Sequence, residues 1–148
     1  MSLKAWTLVI CSAVNLYLLG VMVFFAAVSY PQLGAVDRSA FPSVYQALTS
    51  RIGLPVVVWE FVALLATVPL YFARPPSTPV WAVHVVIALG LAYFAITFAW
   101  HLPSHKALAA GDNSSGAMAP LLTSQWTRTV VQAARAGVLM WLGARLAS

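Results

Sequence analysis

Residues 52–73 read IGLPVVVWEFVALLATVPLYFA, an apolar run whose one charged side chain is Glu60. At about 1.5 Å per helical residue, this run is long enough to cross the roughly 30 Å hydrocarbon core of a bilayer. Spanning a bilayer does not require a carboxylate, and a carboxylate in lipid is costly unless it is paired, protonated or hydrated. We therefore predict that Glu60 belongs to a functional site and has polar partners elsewhere in the chain.

The whole chain has the composition of an integral membrane protein. Of its 148 residues, 61% are hydrophobic and 7% are charged, and the mean hydropathy is +0.86. Soluble domains carry about 25% charged residues. Eight Lys and Arg residues against three acidic ones give a net charge of +5. Because most of these bases stand at the ends of apolar segments, they are interpreted as interface anchors, and no nucleic-acid partner is expected.

The apolar segments predict one domain with an all-α, four-helix transmembrane bundle, and the expected partner of its surface is the lipid bilayer. The first apolar run follows Lys4 as a signal peptide would, but it is too long for one, so an uncleaved span is expected. The predicted spans are about 5–30, 52–73, 79–101 and 127–147.

The connections between these spans have features of their own. Phe41-Pro42 is followed by Val44, Tyr45 and Leu48 at helical spacing, which predicts a short amphipathic helix in the first connection, 31–51. In the third connection, 102–126, the polar residues 111–116 predict a mobile loop. With four spans both termini share one side. Basic residues are nearly balanced between the two sides, and Lys4 before the first span favours cytoplasmic termini.

Two spans present polar stripes that cannot face lipid. Arg128, Gln132 and Arg135 fall at i, i+4 and i+7 and therefore share one inward face of the fourth span. On the third span Tyr93, Thr97 and His101 follow at i, i+4 and i+8, and His105 continues the spacing. The two stripes predict an inward pocket on the side of the two longer connections.

Counting residues inward from Arg51 and Arg128 places Glu60 about 13 Å deep and Arg135 about 10 Å deep. We therefore expect Glu60 and Arg135 to meet as an ion pair. Tyr45 and Arg51 from the first connection are expected to cover the pocket. The expected lining residues are Glu60, Tyr93, Thr97, either His101 or His105, Arg128, Gln132 and Arg135.

Other interpretations of the same residues stay open at this point. The Glu–Arg pair can be purely structural, and histidines are stable at a membrane interface without any further role. A metal ion held by His101, His105 and Glu60 suits the spacing of the two histidines, although nearby arginines would repel a cation. A haem held by two histidines is excluded in a monomer, because all three histidines belong to the third span or its extension.

General acid–base chemistry fits these residue types best. A buried carboxylate beside histidine can move protons near neutral pH, and arginine or tyrosine can stabilise a developing enolate or alkoxide. We expect no cofactor. A pocket inside a bilayer would receive a lipophilic small molecule, such as a polyketide, terpenoid, quinone or fatty-acid derivative, from the lipid phase.

Several stretches resemble a group of small bacterial four-span membrane proteins of mostly unassigned function, similar to the anthrone-oxygenase-like family. They are Gly20 to Pro31 (GVMVFFAAVSYP), Phe41-Pro-x-x-Tyr45, Leu102-Pro-Ser-His105 and Gln125-Trp-x-Arg-Thr129. The resemblance covers nearly the whole chain. It implies a bacterial inner-membrane location and oxidation of aromatic polyketides in secondary metabolism. The site residues that the resemblance implies are Tyr45, Arg51, Glu60, His105, Trp126, Arg128 and Arg135.

The leading hypothesis is a membrane-embedded enzyme catalysing cyclisation, isomerisation, epoxide opening or cofactor-independent oxygenation. Its catalytic residues would be Glu60, His105, Arg128 and Arg135. Its substrate-binding residues would be Tyr45, Arg51, Tyr93, Thr97, His101, Trp126 and Gln132. The competing hypothesis is a non-catalytic membrane subunit or small-molecule carrier with a structural Glu–Arg cluster. Ala133-x-x-x-Gly137 allows close helix contact, so a homo-oligomer stays open.

Overall fold

Four long helices make up the computed structural model, which describes residues 2–147. They are α1 (Leu3–Gly34), α2 (Phe41–Phe72), α3 (Val80–Ala109) and α4 (Ser115–Ala147). No strand occurs within the described residues. The predicted all-α fold is confirmed.

Helices α1, α2 and α3 are each long and apolar enough, by length and composition, to cross a membrane. The fourth helix is not among them, because much of its length is polar. Six of its polar side chains are nevertheless buried: Ser124, Gln125, Arg128, Thr129, Gln132 and Arg135. Apolar helices of membrane length are thus present at three of the predicted spans.

The helices are longer than the predicted spans, and the connections are correspondingly shorter. No separate amphipathic helix lies between α1 and α2, because Phe41 begins α2 and the helix continues through Pro55. Pro42 stands in the first turn of α2, where its missing N–H is not needed. The loop expected at 111–116 is a short turn of residues 110–114, in which Gly111 takes a φ of +90°.

Two prolines lie just beyond the predicted ends of the first and third spans, and both helices continue through them. Pro31 and Pro103 each follow a π-helical turn, Phe25–Ser29 in α1 and Thr97–His101 in α3. A proline inside a regular α-helix clashes with the carbonyl four residues earlier. In both turns the residue before the proline donates its N–H to the carbonyl five residues earlier, and this wider turn relieves the clash. Both helices therefore continue past their prolines.

Two short connections close one end of the bundle, which we call the loop end. They are residues 35–40 and 110–114, and the Asn113 side chain joins them by donating to the Val36 carbonyl at 2.7 Å. In the first connection the Ser39 hydroxyl and N–H donate to Asp37 at 2.5 and 2.8 Å. These hydrogen bonds hold the pKa of Asp37 below its ordinary value.

The opposite end, which we call the terminal end, contains Leu3, Phe72, Val80 and Ala147. Small and aliphatic side chains pack this end: Leu8, Cys11, Leu70, Ala82, Val83, Val86, Leu139 and Leu142. A cluster richer in aromatic side chains packs the loop end: Phe25, Tyr30, Leu33, Phe41, Tyr45, Leu108, Met118 and Leu121. Among the three apolar helices, α2 has the smallest buried fraction, so it lies on the outside of the bundle.

Candidate functional site

Glu60 lies inside the bundle and is bound by residues from two other helices. Its side chain is almost fully buried. The Tyr93 hydroxyl of α3 donates to Glu60 Oε1 at 2.6 Å, and the Arg128 guanidinium of α4 forms an ion pair with the same oxygen. Oε2 makes no hydrogen bond to any residue within 2–147. One oxygen of the carboxylate is therefore held by the protein, and the other is available to a bound molecule.

Arg128 connects the carboxylate to the rest of the polar cluster. Its NH2 group also donates to the Tyr93 hydroxyl, and its NH1 group donates to Gln125 Oε1 at 3.3 Å. The guanidinium lies over the Tyr93 ring, 4.6 Å from the centroid, in a cation–π contact. The buried Nε–H has no acceptor within the described part of the chain. Arg128 is thus charge-neutralised by Glu60 and retains one unused donor.

The expected pairing of Glu60 with Arg135 is wrong. Arg135 donates from NH2 to the Ala63 carbonyl at 2.9 Å, and the carboxylate is bound by Arg128 instead. The depth count failed because it treated Arg128 as an anchor at the membrane surface, whereas Arg128 is buried at the level of Glu60. Arg135 consequently lies deeper in the bundle, away from the loop end.

Two histidines form a hydrogen-bonded chain next to this cluster. Ser124 donates to the Leu121 carbonyl at 2.9 Å, so its oxygen accepts from His101 Nδ1–H, also at 2.9 Å. His101 Nε2 then carries no proton and accepts from His105 Nε2–H at 3.2 Å. His105 Nδ1 in turn accepts from the Tyr45 hydroxyl at 2.6 Å. The hydroxyl partners thereby assign one tautomer to each imidazole.

The π-helical turns help to place these groups. His101 is the last residue of the turn in α3, and Tyr30 follows the corresponding turn in α1. The Tyr30 hydroxyl approaches His101 Nε2 at 3.4 Å. An additional residue in a helical turn shifts the register of the side chains that follow it. The two turns therefore set which side chains of α1 and α3 meet at the loop end.

A cavity of about 250 Å³ lies between the Glu60 cluster and the histidine chain. This volume is close to the lower end of the roughly 300–1,000 Å³ found for small-molecule sites. Six of the residues predicted for the site line it: Tyr45, Glu60, Thr97, His101, His105 and Arg128. Tyr93 lies behind them and contacts the cavity indirectly, through Glu60 and Arg128.

Besides Tyr93, four more of the predicted site residues do not line the cavity. Gln132 and Arg135 are buried in a deeper polar layer, where Gln132 donates to the Asn15 carbonyl at 2.9 Å. Arg51 and Trp126 are exposed on the outside of the bundle. Arg51 was expected to cover the pocket, which would need a bend of the helix at Gly53 or Pro55 or a swing of its long side chain. However, α2 remains helical through both positions, so Arg51 stays on the outer face.

Helix α1 supplies residues that the sequence analysis did not assign to the site. Met22, Phe25 and Tyr30 line the cavity, as does Gln125 of α4. Gln125 donates to the Met22 carbonyl at 3.1 Å and so joins α4 to α1. Asn15 is an amide within an apolar run, and that signal could have identified it as inward-facing. Met22 and Phe25 carry no such signal, because an apolar residue in a span fits lipid equally well.

The described residues contain no group of three or more His, Cys, Asp or Glu side chains placed to hold a metal ion. His101 and His105 are the nearest approach to one, since their Nε2 atoms point at each other. Comparison of the chain with protein-family models, curated proteins and solved structures finds no match.

Proposed function

We propose that the chain is an integral membrane protein in which α4 is the fourth span. The support is the division of α4 into two faces. Between positions 126 and 141 its exposed residues are all apolar: Trp126, Val130, Ala133, Ala134, Gly137, Met140 and Trp141. Its arginines and glutamines in this stretch are buried. A helix whose charged and amide side chains face the bundle across its middle can lie in lipid despite a modest overall hydropathy.

Within that bundle, the proposed function is enzymatic conversion of a lipophilic small molecule by general acid–base chemistry. One observation carries the proposal. A single cavity is bounded by an ion-paired carboxylate with a free oxygen and by two hydrogen-bonded imidazoles. Buried ionisable groups that surround an open space are typical of active sites, whereas purely structural ion pairs are usually packed on all sides.

The geometry suggests a division of roles among the residues. Glu60 is the proposed general base, because its Oε2 is free while Tyr93 and Arg128 hold Oε1 in place. Arg128 is the proposed oxyanion stabiliser, through its charge, because its side chain lines the cavity. His105 would deliver or remove a second proton through the chain that links it to Tyr45 and His101. Arg135 lies outside the cavity and is assigned a structural role.

The cavity walls suggest the class of substrate and its route of entry. Leu48, Ile52 and Val56 form an apolar wall on α2. Val57 and Leu102 line the cavity and are also exposed on the outer surface of the bundle, between α2 and α3. A hydrophobic molecule could therefore enter sideways from the lipid.

The resemblance to anthrone-oxygenase-like proteins suggests an aromatic polyketide as the substrate. Deprotonating such a molecule would generate an enolate, which Arg128 would stabilise. We propose a bacterial inner membrane with the termini in the cytoplasm, since Lys4 precedes the first span.

The test is a Glu60→Gln variant, purified in detergent and assayed with anthrone, which O2 oxidises to anthraquinone and water. Product is followed by its absorbance, and folding is followed by helix content and melting temperature. Gln keeps the shape and the Tyr93 contact but cannot accept the proton. Because Gln leaves the Arg128 charge without its counter-ion, we expect a folded protein of lower melting temperature, with turnover reduced by about 10²–10⁴-fold. A His105→Gln variant should show a smaller loss of turnover.

Asp37→Asn is the matched control, because it removes the charge of an exposed carboxylate at the loop end and should retain full turnover. The competing hypothesis, a non-catalytic subunit or carrier, predicts a different pattern. In that case Glu60→Gln would lose folded protein, and the wild-type chain would not accelerate product formation above empty micelles.

A further inference from the structure

The terminal end of the bundle contains a second pocket, remote from the Glu60 cavity. It has a volume of about 430 Å³ and lies where α1 begins, α2 ends and α3 begins. Its lining includes Lys4, Arg74 and Thr78, together with the prolines of the connection between α2 and α3. The proposed reaction does not use this pocket, so its polar lining needs a separate explanation.

Within residues 2–147, the charged side chains at this end are all basic. The three acidic residues of the chain are Asp37, Glu60 and Asp112. Glu60 is bound to Arg128, and the other two lie in the connections at the loop end. No carboxylate within residues 2–147 therefore pairs with Lys4 or Arg74. A pocket lined by two cations without a protein counter-ion attracts an anion.

The start of α3 adds hydrogen-bond donors to the same pocket. Pro79 is the N-cap of α3, and no side chain caps this helix terminus. Both Pro79 and Val80 line the pocket. The first N–H groups of a helix have no acceptor within the helix, and the helix dipole makes this terminus positive. Such termini commonly bind phosphate groups.

Thr78 provides an independent indication of a ligand. It lines the pocket with 3% of its surface exposed, and its hydroxyl has no hydrogen-bond partner among the described residues. Its backbone N–H is bound to the Pro75 carbonyl at 3.0 Å, which holds the residue in the turn. Burying a hydroxyl without a partner is unfavourable. An anionic oxygen in the pocket would accept this hydrogen bond.

We infer that this pocket binds a phosphate group. Lys4 and Arg74 supply the charge, and the Thr78 hydroxyl and the first N–H groups of α3 supply the hydrogen bonds. Phe72 also lines the pocket and is 79% exposed, so an apolar surface continues from the phosphate position. The phosphate can belong to an anionic phospholipid head group or be free in solution, and the two sources are distinguished below.

The experiment measures the melting temperature of the full-length protein in a neutral detergent. Dioleoyl phosphatidylglycerol is compared with dioleoyl phosphatidylcholine, and inorganic phosphate is compared with chloride at equal ionic strength. At saturation we expect phosphatidylglycerol to raise the melting temperature by roughly 5 °C relative to phosphatidylcholine. A comparable rise with inorganic phosphate would show that the phosphate group alone is recognised. A rise with the lipid alone would show that the acyl chains contribute.

Two variants locate the effect. Arg74→Gln and Thr78→Val should each lose at least about half of the shift, and Thr78→Val preserves the side-chain shape if Arg74→Gln folds poorly. Lys106→Gln, at the loop end, is the matched control and should retain the full shift. The inference is overturned if neither phosphatidylglycerol nor phosphate exceeds its control. It is equally overturned if the shift persists undiminished in Thr78→Val and Arg74→Gln.

Discussion

The two halves of this bundle differ in packing and in the polarity of their interior side chains. In the terminal half, Leu8, Val83, Val86, Leu139 and Leu142 pack against one another with almost no exposed surface. In the half nearer the loop end, polar side chains from three helices surround a cavity of about 250 Å³. The packed half can hold the helices together by burial alone. That stability allows the other half to retain open space and buried charges, both of which are unfavourable for folding.

The two buried arginines of α4 offer the largest test of this difference. Arg128→Met leaves the Glu60 carboxylate buried without its cation, and we expect a loss of about 3–5 kcal/mol in the free energy of unfolding. Arg135→Met removes a buried cation that has only a carbonyl partner, so we expect a change of about 1 kcal/mol or less. Both are measured by unfolding the purified protein in mixed micelles while following helix content.

Equal losses in the two arginine variants would contradict this view of the cluster. They would mean that Arg135 stabilises the bundle as strongly as the ion pair does, and that the Ala63 carbonyl is a sufficient partner for a buried guanidinium.

Two leucines test the packing, one in the terminal half and one in the wall of the cavity. Leu139 is fully buried in the terminal half, and Leu48 is a partly buried residue of the cavity wall. Leu139→Ala should create a new void and cost about 2–5 kcal/mol. Leu48→Ala should cost about 1 kcal/mol, because it enlarges a space that already exists. Similar costs for the two substitutions would indicate that the cavity closes in the folded protein.

Two glycines allow the packing inside and outside the bundle to be compared by adding a single methyl group. A Cβ at Gly90 would lie 3.0 Å from Leu64 Cδ1 and 3.1 Å from Arg135 Cζ, whereas a Cβ at Gly137 would meet nothing within 4 Å. Gly90→Ala should therefore destabilise the protein by about 1–3 kcal/mol. Gly137→Ala should stabilise it by up to about 1 kcal/mol, because alanine is the better helix former.

The Gly137 substitution also tests self-association, since Ala133 and Gly137 lie exposed on the same helix. If Gly137→Ala destabilised the protein, or dissociated a dimer in light scattering, a second copy would have to pack closely against this face.

The polar members of the site were largely predictable, and the reason is energetic. A carboxylate, an arginine or a histidine in a membrane-length apolar segment must face inward, so Glu60, His101, His105 and Arg128 could be placed on interior faces from spacing alone. The contacts that these side chains make with one another could not be predicted from spacing. Arg128 and Arg135 share one face of α4, and only the packing of α2 against α4 determines which arginine reaches Glu60.

The lengths of the helices around two prolines also could not be predicted from the sequence. Pro31 and Pro103 lie just beyond the predicted ends of two spans, and a proline ring conflicts with regular helical geometry. The π-helical turns before them remove the conflict, and hydropathy patterns give no sign of such turns. The longer helices that result bring Tyr30, Tyr45 and the two histidines together at the loop end.

The amino-acid sequence alone determined that this is a helical protein with apolar segments of membrane length and with inward-facing charges, since these features follow from composition and periodicity. Only the tertiary structure decided which partners those charges have, what lines the cavity, and that a basic pocket lies at the terminal end. Pairing and cavity shape depend on how helices distant in the chain pack together. Local residue spacing does not show which of these long-range contacts form.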